Sequence, residues 1–308
     1  MRARTGVRGI VRGIVAAAVA LWGLAACSDG GGGDDEPPEI RTIPTVRSSA
    51  DLPALPMEQY VFSGDDLRAY TQAGAVLSRR CMERFGMNWI SDKDATRDLP
   101  DLTVDPTRYF TIIDADAARE HGYADPRGDG DGQRKTSGSY EPTDAERSVY
   151  NGSAKNVTDT SGRRLGKGGC AAEVDKRLDE GGVKGIDALK VGNEFYTLYG
   201  KVQRDSRVTE AFEKWSACLK KKGFTYATPM DAANDPEWVS GADTKAAVSV
   251  ATADVACKQR LNTVGIWYAV AEAYQRAYID EKAEHFADVL ATKKALVKNA
   301  ADVIGGAE

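Results

Sequence analysis

The stretch Val264-Gly-Ile-Trp-Tyr-Ala-Val-Ala-Glu-Ala-Tyr-Gln-Arg-Ala-Tyr278 has the most regular pattern in the chain. Its large apolar residues recur every three or four positions, which places them on one face of an α-helix. The pattern lapses over residues 280–285 and resumes at Phe286. The sequence therefore predicts a long C-terminal helix, either continuous through the polar interruption or bent there, with residues 281–308 as a helical arm.

Two ten-residue segments, Arg80–Trp89 and Ala217–Tyr226, align without gaps. In each, a cysteine precedes a glycine by five positions and an aromatic residue follows the glycine by three. This pattern is typical of a helix that ends at a glycine in the left-handed conformation, with the cysteine on the buried face. We interpret the segments as parts of a duplicated helical unit; chance similarity over ten residues is the alternative.

Helical signals continue toward the N-terminus. Ser63 and Asp66 are spaced as a capping box, and the apolar residues that follow have helical spacing as far as Gly86. Further helices are predicted over 114–121, from Thr143, and over 170–179, 186–204 and 208–222. Strand signals are sparse, the best being residues 109–113. The predicted fold class is mainly α: a helical bundle built from a duplicated cysteine-containing unit.

The first 26 residues have the composition of a secretory signal peptide. Arginines at positions 2, 4, 8 and 12 precede an apolar stretch of about 14 residues, shorter than the roughly 20 of a membrane-spanning helix. The stretch ends in Leu24-Ala25-Ala26-Cys27, which resembles the lipobox of bacterial lipoproteins. The resemblance implies cleavage before Cys27, acylation of its thiol, and a location at the extracytoplasmic face of the cell membrane. The alternative is a plain signal peptide cut after Ala26.

Residues 28–55 are rich in glycine, proline and acidic residues, a composition that predicts a disordered tether. The lipobox, the tether and the Cys-Met…Gly-aromatic helix ends together resemble exported lipoproteins of high-GC Gram-positive bacteria. That resemblance implies a location and a type of fold, and it implies no activity.

These patterns predict five parts of the chain. They are a lipoprotein signal peptide (1–26), the lipidated Cys27 with its tether (27–55), helical unit 1 with long loops (56–185), helical unit 2 (186–280) and the C-terminal helical arm (281–308).

The four remaining cysteines predict two disulfides. In an oxidising exported compartment, four cysteines allow three connectivities. The repeat favours Cys81–Cys170 and Cys218–Cys257, because each bond then links the equivalent helices of one unit. The alternative is four reduced cysteines buried as small apolar side chains.

The chain is acidic, with a formal net charge of −5, and loss of the four arginines before Cys27 would lower it to −9. Such a chain is a poor candidate for binding nucleic acid or anionic lipid headgroups. It contains no Gly-x-Ser-x-Gly, phosphate-loop or His-Glu-x-x-His motif. With only two histidines, a histidine-rich metal site is not expected. We therefore expect no enzyme and assign no catalytic, cofactor-binding or metal-binding residue.

The histidines and clustered aromatic residues receive structural interpretations. His121 precedes Gly122 at a predicted helix end, where a cation is favourable for the helix dipole. His285 lies near Glu281 and Glu284 and is interpreted as their solvated ion-pair partner. Five aromatic residues are assigned to the core rather than to a carbohydrate- or peptide-binding groove: Trp215, Trp267, Tyr268, Tyr274 and Tyr278.

Three functions remain open on this sequence. The first is a membrane-anchored, non-enzymatic helical interaction or scaffold protein of the cell envelope, with a protein partner. The second is a ligand-binding lipoprotein accessory to a transporter, which usually needs two α/β lobes and is disfavoured by the few strand signals. The third is a cell-wall hydrolase, for which no set of residues stands out.

Overall fold

The computed structural model describes residues 37–89, 110–124, 140–239 and 244–306. Within these ranges the chain is mainly α-helical and has no strand, apart from one isolated bridge between Thr158 and Arg164. The predicted fold class is therefore confirmed. No helix in these ranges combines the length and the apolar character needed to cross a membrane. The predicted signal peptide and Cys27 lie outside the described residues.

The helices are, in chain order, α1 (Gly64–Arg84), α2 (Ala115–His121), α3 (Asp144–Tyr150), α4 (Gly169–Leu178), α5 (Val191–Arg204), α6 (Ser206–Lys220), α7 (Pro229–Ala233), α8 (Pro236–Val239), α9 (Thr244–Leu261), α10 (Thr263–Glu281) and α11 (Ala283–Gly305). Single 3-10 turns lie at Ser49–Asp51, Glu58–Tyr60 and Ala188–Lys190. Tyr109 is outside the described residues, and residues 111–114 form a loop rather than a strand.

Helix α10 is the centre of the bundle. It packs against α5, α6, α9 and α11, and it buries Val264, Trp267, Tyr268 and Val270 in the main core. Because apolar residues occupy several of its faces, nearly all of its surroundings are protein. The periodic stripe at 264–278 is therefore only part of the apolar surface that this helix buries.

The C-terminal helix bends at the polar interruption and does not form a separate arm. Helix α10 ends at Glu281, Lys282 has φ −116° and ψ 38°, and α11 begins at Ala283. Helix α11 then packs along α1, and Phe286, Val289 and Leu296 are buried in the main core. The boundary expected at 280/281 is therefore a bend within one core, because the apolar stripe of α11 faces the bundle.

The predicted tether is too long, because residues 37–62 form an ordered N-terminal strap across the bundle. The backbone amide of Val46 donates to Asn262 Oδ1 at 3.0 Å, and that of Met57 donates to Gln275 Oε1 at 2.9 Å. Val46, Leu55 and Met57 are buried in the main core. The few apolar residues of the strap are spread among proline and serine, so composition alone indicated disorder.

From Pro37 onward the chain is one compact unit. The main core takes residues from the strap, α1, α5, α6, α10 and α11, so it crosses the boundary that the sequence analysis placed at 185/186. The duplicated segments are local features within this unit rather than the centres of two separate ones.

Candidate functional site

The two predicted cysteine pairs lie at disulfide distance. The sulfur atoms of Cys81 and Cys170 are 1.98 Å apart and those of Cys218 and Cys257 are 1.91 Å apart. The first pair joins α1 to α4, and the second joins α6 to α9. This is the connectivity that the repeat favours, and all four side chains are buried.

Both repeated segments end their helices in the same way. Gly86 and Gly223 have φ of 69° and 95°, the left-handed region that glycine adopts without strain. In α1 the amide of Met87 donates to the carbonyl of Met82, and in α6 the amide of Phe224 donates to that of Leu219. These are matching Schellman caps, and they confirm the helix ends predicted from the alignment.

A fully buried ion pair lies beside the second disulfide, and sequence reasoning missed it. Asp254 and Lys258 are both on α9, and Lys258 Nζ donates to Asp254 Oδ2 at 2.8 Å. Asp254 also accepts from Trp215 Nε1 at 2.8 Å and from the Tyr123 hydroxyl at 3.1 Å. We call these four residues the buried hub. Its only sequence signal is an acid and a base four positions apart in an alanine- and valine-rich helix.

The hub fastens a loop to α9. Lys258 Nζ donates to the carbonyl oxygens of Phe110 at 2.7 Å and Ile112 at 3.0 Å. Burial raises the pKa of Asp254 and lowers that of Lys258, and their mutual attraction opposes both shifts. Because protein groups occupy the polar atoms of both side chains, the hub joins the loop at Phe110 to α9 through buried hydrogen bonds.

The histidines have the following partners. His285 Nε2 lies 2.9 Å from Glu194 Oε1 on α5, so its expected pairing with Glu281 and Glu284 is wrong; the bend at Lys282 turns it toward another helix. His121 is the last residue of α2, directly before Gly122 with φ 64°, which agrees with the interpretation at a helix end.

The core assignment of the aromatic residues is confirmed. Trp215, Trp267 and Tyr268 are buried, and Tyr274 and Tyr278 are partly buried against the main core. These residues therefore do not line an open carbohydrate groove.

An open cavity of about 500 Å³, the Tyr70 pocket, lies between α1, α11 and the loop of residues 179–190. The apolar part of its wall is formed by Tyr70, Val183, Ile186, Leu189 and Leu296. The polar part includes Asp179, Lys184, Asp187 and Thr292. The volume is in the range of sites that bind small molecules or single side chains.

Helix α11 holds the loop of the Tyr70 pocket in place. Thr292 Oγ1 accepts a hydrogen bond from the amide of Val183 at 3.0 Å. Asn299 Nδ2 donates to the carbonyl oxygens of Leu178 at 2.8 Å and Glu180 at 2.7 Å. These hydrogen bonds hold the first part of the loop, residues 178–183, against α11.

Carboxylates near Tyr70 disfavour its ionised form. Partial burial, together with Asp179, Asp175 and Asp187, raises the pKa of Tyr70 to about 12. Burial and the nearby Asp175 and Asp187 also raise the pKa of Asp179. Lys190 Nζ lies 2.7 Å from Asp187, whereas Asp179 has no ion-pair partner within the described ranges. Asp179 is thus the carboxylate that is available to an incoming cation.

A second open cavity of about 780 Å³ continues from the Tyr70 pocket along α4. Asp179 borders both cavities. Leu77 and Val174 supply an apolar floor, beneath a rim of mixed charge that includes Glu173 and Arg177. We refer to these two adjoining cavities together as the groove. No sequence pattern predicts the groove, because its walls come from three segments that are distant along the chain.

Comparisons with protein families, with curated proteins and with solved structures found no match for this chain. Among the residues that the structure describes, no three or more His, Cys, Asp or Glu side chains are grouped so that they could hold a metal ion. The groove and the N-terminal sequence are therefore the features that bear on function.

Proposed function

We propose that this protein is a lipid-anchored, extracytoplasmic interaction protein without enzymatic activity, and that the Tyr70 pocket receives a basic side chain of a protein partner. The observation that carries the proposal is the unpaired Asp179 at the junction of two open cavities. The location depends on the lipobox sequence that ends at Cys27.

The walls of the Tyr70 pocket suit a lysine or arginine side chain. Such a side chain combines an aliphatic stem with a cationic head. The stem would contact apolar groups such as Ile186 and Leu296, while the head would lie near Asp179 and the ring of Tyr70. The groove along α4 then has room for the neighbouring residues of an extended segment.

A transporter-associated binding protein is the second candidate, favoured by the volume of about 500 Å³. The same chemistry would then select a small organic cation. Comparing the affinities of a basic peptide and of a small amine of equal charge separates the two candidates. Only the peptide can also occupy the cavity bordered by Leu77 and Val174. Tighter binding of the amine would favour the transporter role.

Asp179→Asn tests the pocket. Loss of a charge-assisted contact should weaken binding of the basic peptide roughly 10-fold to 100-fold, measured by isothermal titration calorimetry. Glu213→Gln, at an exposed carboxylate on α6, is the matched control and should bind as the unaltered chain does. If Asp179→Asn binds the peptide with unchanged affinity, the pocket is not the docking site.

The pH dependence follows from the same carboxylate. Since the pKa of Asp179 is raised, its carboxylate becomes protonated at a higher pH than the carboxylate of an ordinary aspartate. Peptide affinity should therefore fall as the pH drops below neutrality through that pKa, and Asp179→Asn should remove this dependence. An identical pH profile in both forms would contradict the assignment.

Cys27→Ser tests the anchor. The altered protein should appear in the culture medium or accumulate as uncleaved precursor, as judged by fractionation and mass spectrometry of its N-terminus. Normal processing with retention at the membrane would show that the lipid assignment is wrong.

A further inference from the structure

Another cavity, of about 380 Å³, lies between the end of α1, the loop of residues 158–167 and one face of α4. It shares Glu173 and Lys176 with the cavity along α4. Five basic side chains line this basic pocket: Arg84, Arg163, Arg164, Lys167 and Lys176. Two acidic side chains accompany them, Asp159 and Glu173. A cavity with three more cations than anions contrasts with the net charge of −5 of the whole chain.

Both acidic side chains are already occupied. Asp159 accepts from the Ser161 amide at 2.9 Å and from Arg163 Nε at 3.0 Å, and hydrogen bonds from Ser161 and Arg163 lower its pKa to about 2. Glu173 Oε2 accepts from Arg84 Nη2 at 2.6 Å. Each acid therefore neutralises one arginine of the pocket.

The other three cations have no such partner. Within the described parts of the chain, Arg164, Lys167 and Lys176 form no ion pair, and the Nε atom of Arg84 is buried without a hydrogen-bond acceptor. The pocket also includes Gly169 and Ala172, in the first turn of α4. A helix N-terminus adds positive partial charge at that position. Three uncompensated cations around one concavity attract an anion of multiple charge.

We propose that the basic pocket binds a phosphate-type oxyanion, either free in solution or as a lipid headgroup. Lysine ammonium groups supply point charges, and arginine presents a planar fork of donors that matches two oxygen atoms of a phosphate group. This proposal does not depend on the Tyr70 pocket, since Arg164 and Lys167 do not border either cavity of that groove.

The chain from Ser28 onward is suited to the test, because it retains the compact unit that begins at Pro37 and lacks both the lipid and the apolar N-terminal stretch. Arg164→Gln/Lys167→Gln removes two cations of the pocket. Lys221→Gln/Lys222→Gln is the matched control, since these lysines are exposed beyond α6. Tripolyphosphate is titrated into each form by calorimetry at fixed ionic strength.

We expect saturable binding at one site, at least tenfold weaker in the pocket variant and within twofold of the unaltered chain in the control. A second arm measures sedimentation with phosphatidylcholine vesicles, with and without phosphatidylglycerol. If the unaltered chain sediments with phosphatidylglycerol vesicles and only the pocket variant fails to do so, the ligand is a lipid headgroup. If the chain binds tripolyphosphate but does not sediment with the vesicles, the ligand is a soluble phosphate. Absence of both, or equal losses in the control, overturns the proposal.

Discussion

The ends of α1 and α6 are built from aligned segments, and a disulfide holds each to a second helix. Their surroundings differ. Beside Cys81, the Arg84–Glu173 ion pair is partly exposed and borders the basic pocket. Beside Cys218, the buried hub has no contact with solvent through Asp254 or Lys258. The repeated motif thus fixes the helix end and the cross-link, while the neighbouring segments decide whether the polar groups there are open to a ligand.

Removal of each disulfide gives the largest expected effect. In the chain-entropy model, the loops of 89 and 39 residues correspond to about 4.6 and about 3.9 kcal/mol of unfolding free energy. Cys81→Ala/Cys170→Ala should therefore destabilise the protein slightly more than Cys218→Ala/Cys257→Ala, as measured by urea unfolding. The reverse order would show that packing around the hub, rather than loop length, governs the contribution of the bond.

Lys258→Met removes the cation of the hub and tests whether the hub excludes water. Asp254 would remain buried without its counter-ion, which should lower the free energy of unfolding by about 3–5 kcal/mol. Lys222→Met, at an exposed lysine, should change it by less than about 0.5 kcal/mol. A comparably small effect of Lys258→Met in urea unfolding would mean that water reaches the hub and that the two helix ends differ less than we infer.

Gly86→Ala and Gly223→Ala test the likeness of the two caps. Neither position has a neighbouring atom within 4 Å of an added Cβ, so the cost is conformational, about 1–2 kcal/mol at each site because φ is positive. Gly192→Ala, within α5 and also without close neighbours, should instead be neutral or stabilise by up to about 1 kcal/mol. Thermal unfolding midpoints measure all three, and unequal costs at the two caps would show that their surroundings strain them differently.

Asp159→Asn is considered last because its effect depends on pH and concerns only the open end of α1. The pKa of Asp159 in the folded protein is about 2, below its ordinary value of 3.8. Its carboxylate therefore stabilises the fold above about pH 4, and this contribution disappears as the pH falls through 2. The stability difference between the unaltered chain and Asp159→Asn should shrink over that interval; a constant difference would contradict the lowered pKa.

The sequence predicted those features whose signals lie close together along the chain. Capping boxes such as Ser63–Asp66 span one turn, and the donor and acceptor are both present in the structure. Helix periodicity and the aligned glycines Gly86 and Gly223 are equally local. The cysteine pairing was predicted because the repeat reduced three connectivities to one.

The features that escaped prediction depend on distant segments. Asp254 and Lys258 have the spacing of an ordinary exposed ion pair, and their burial is imposed by Tyr123, Trp215 and the loop at Phe110. The Tyr70 pocket likewise needs α1, α11 and the 179–190 loop together. No pattern of neighbouring residues encodes such an arrangement, because it arises only when the helices have packed.

The N-terminal strap ties the beginning of the described chain to its end. Its hydrogen bonds join Val46 to Asn262 and Met57 to Gln275, across 216 and 218 residues, and Tyr60 contacts Phe286 on α11. Since a chain is synthesised from its N-terminus, the strap is complete long before its partners exist. Closing contacts over such separations is slow. The main core therefore cannot be completed before α10 and α11 are present, and until then Val46, Leu55 and Met57 of the strap lack the helices that bury them.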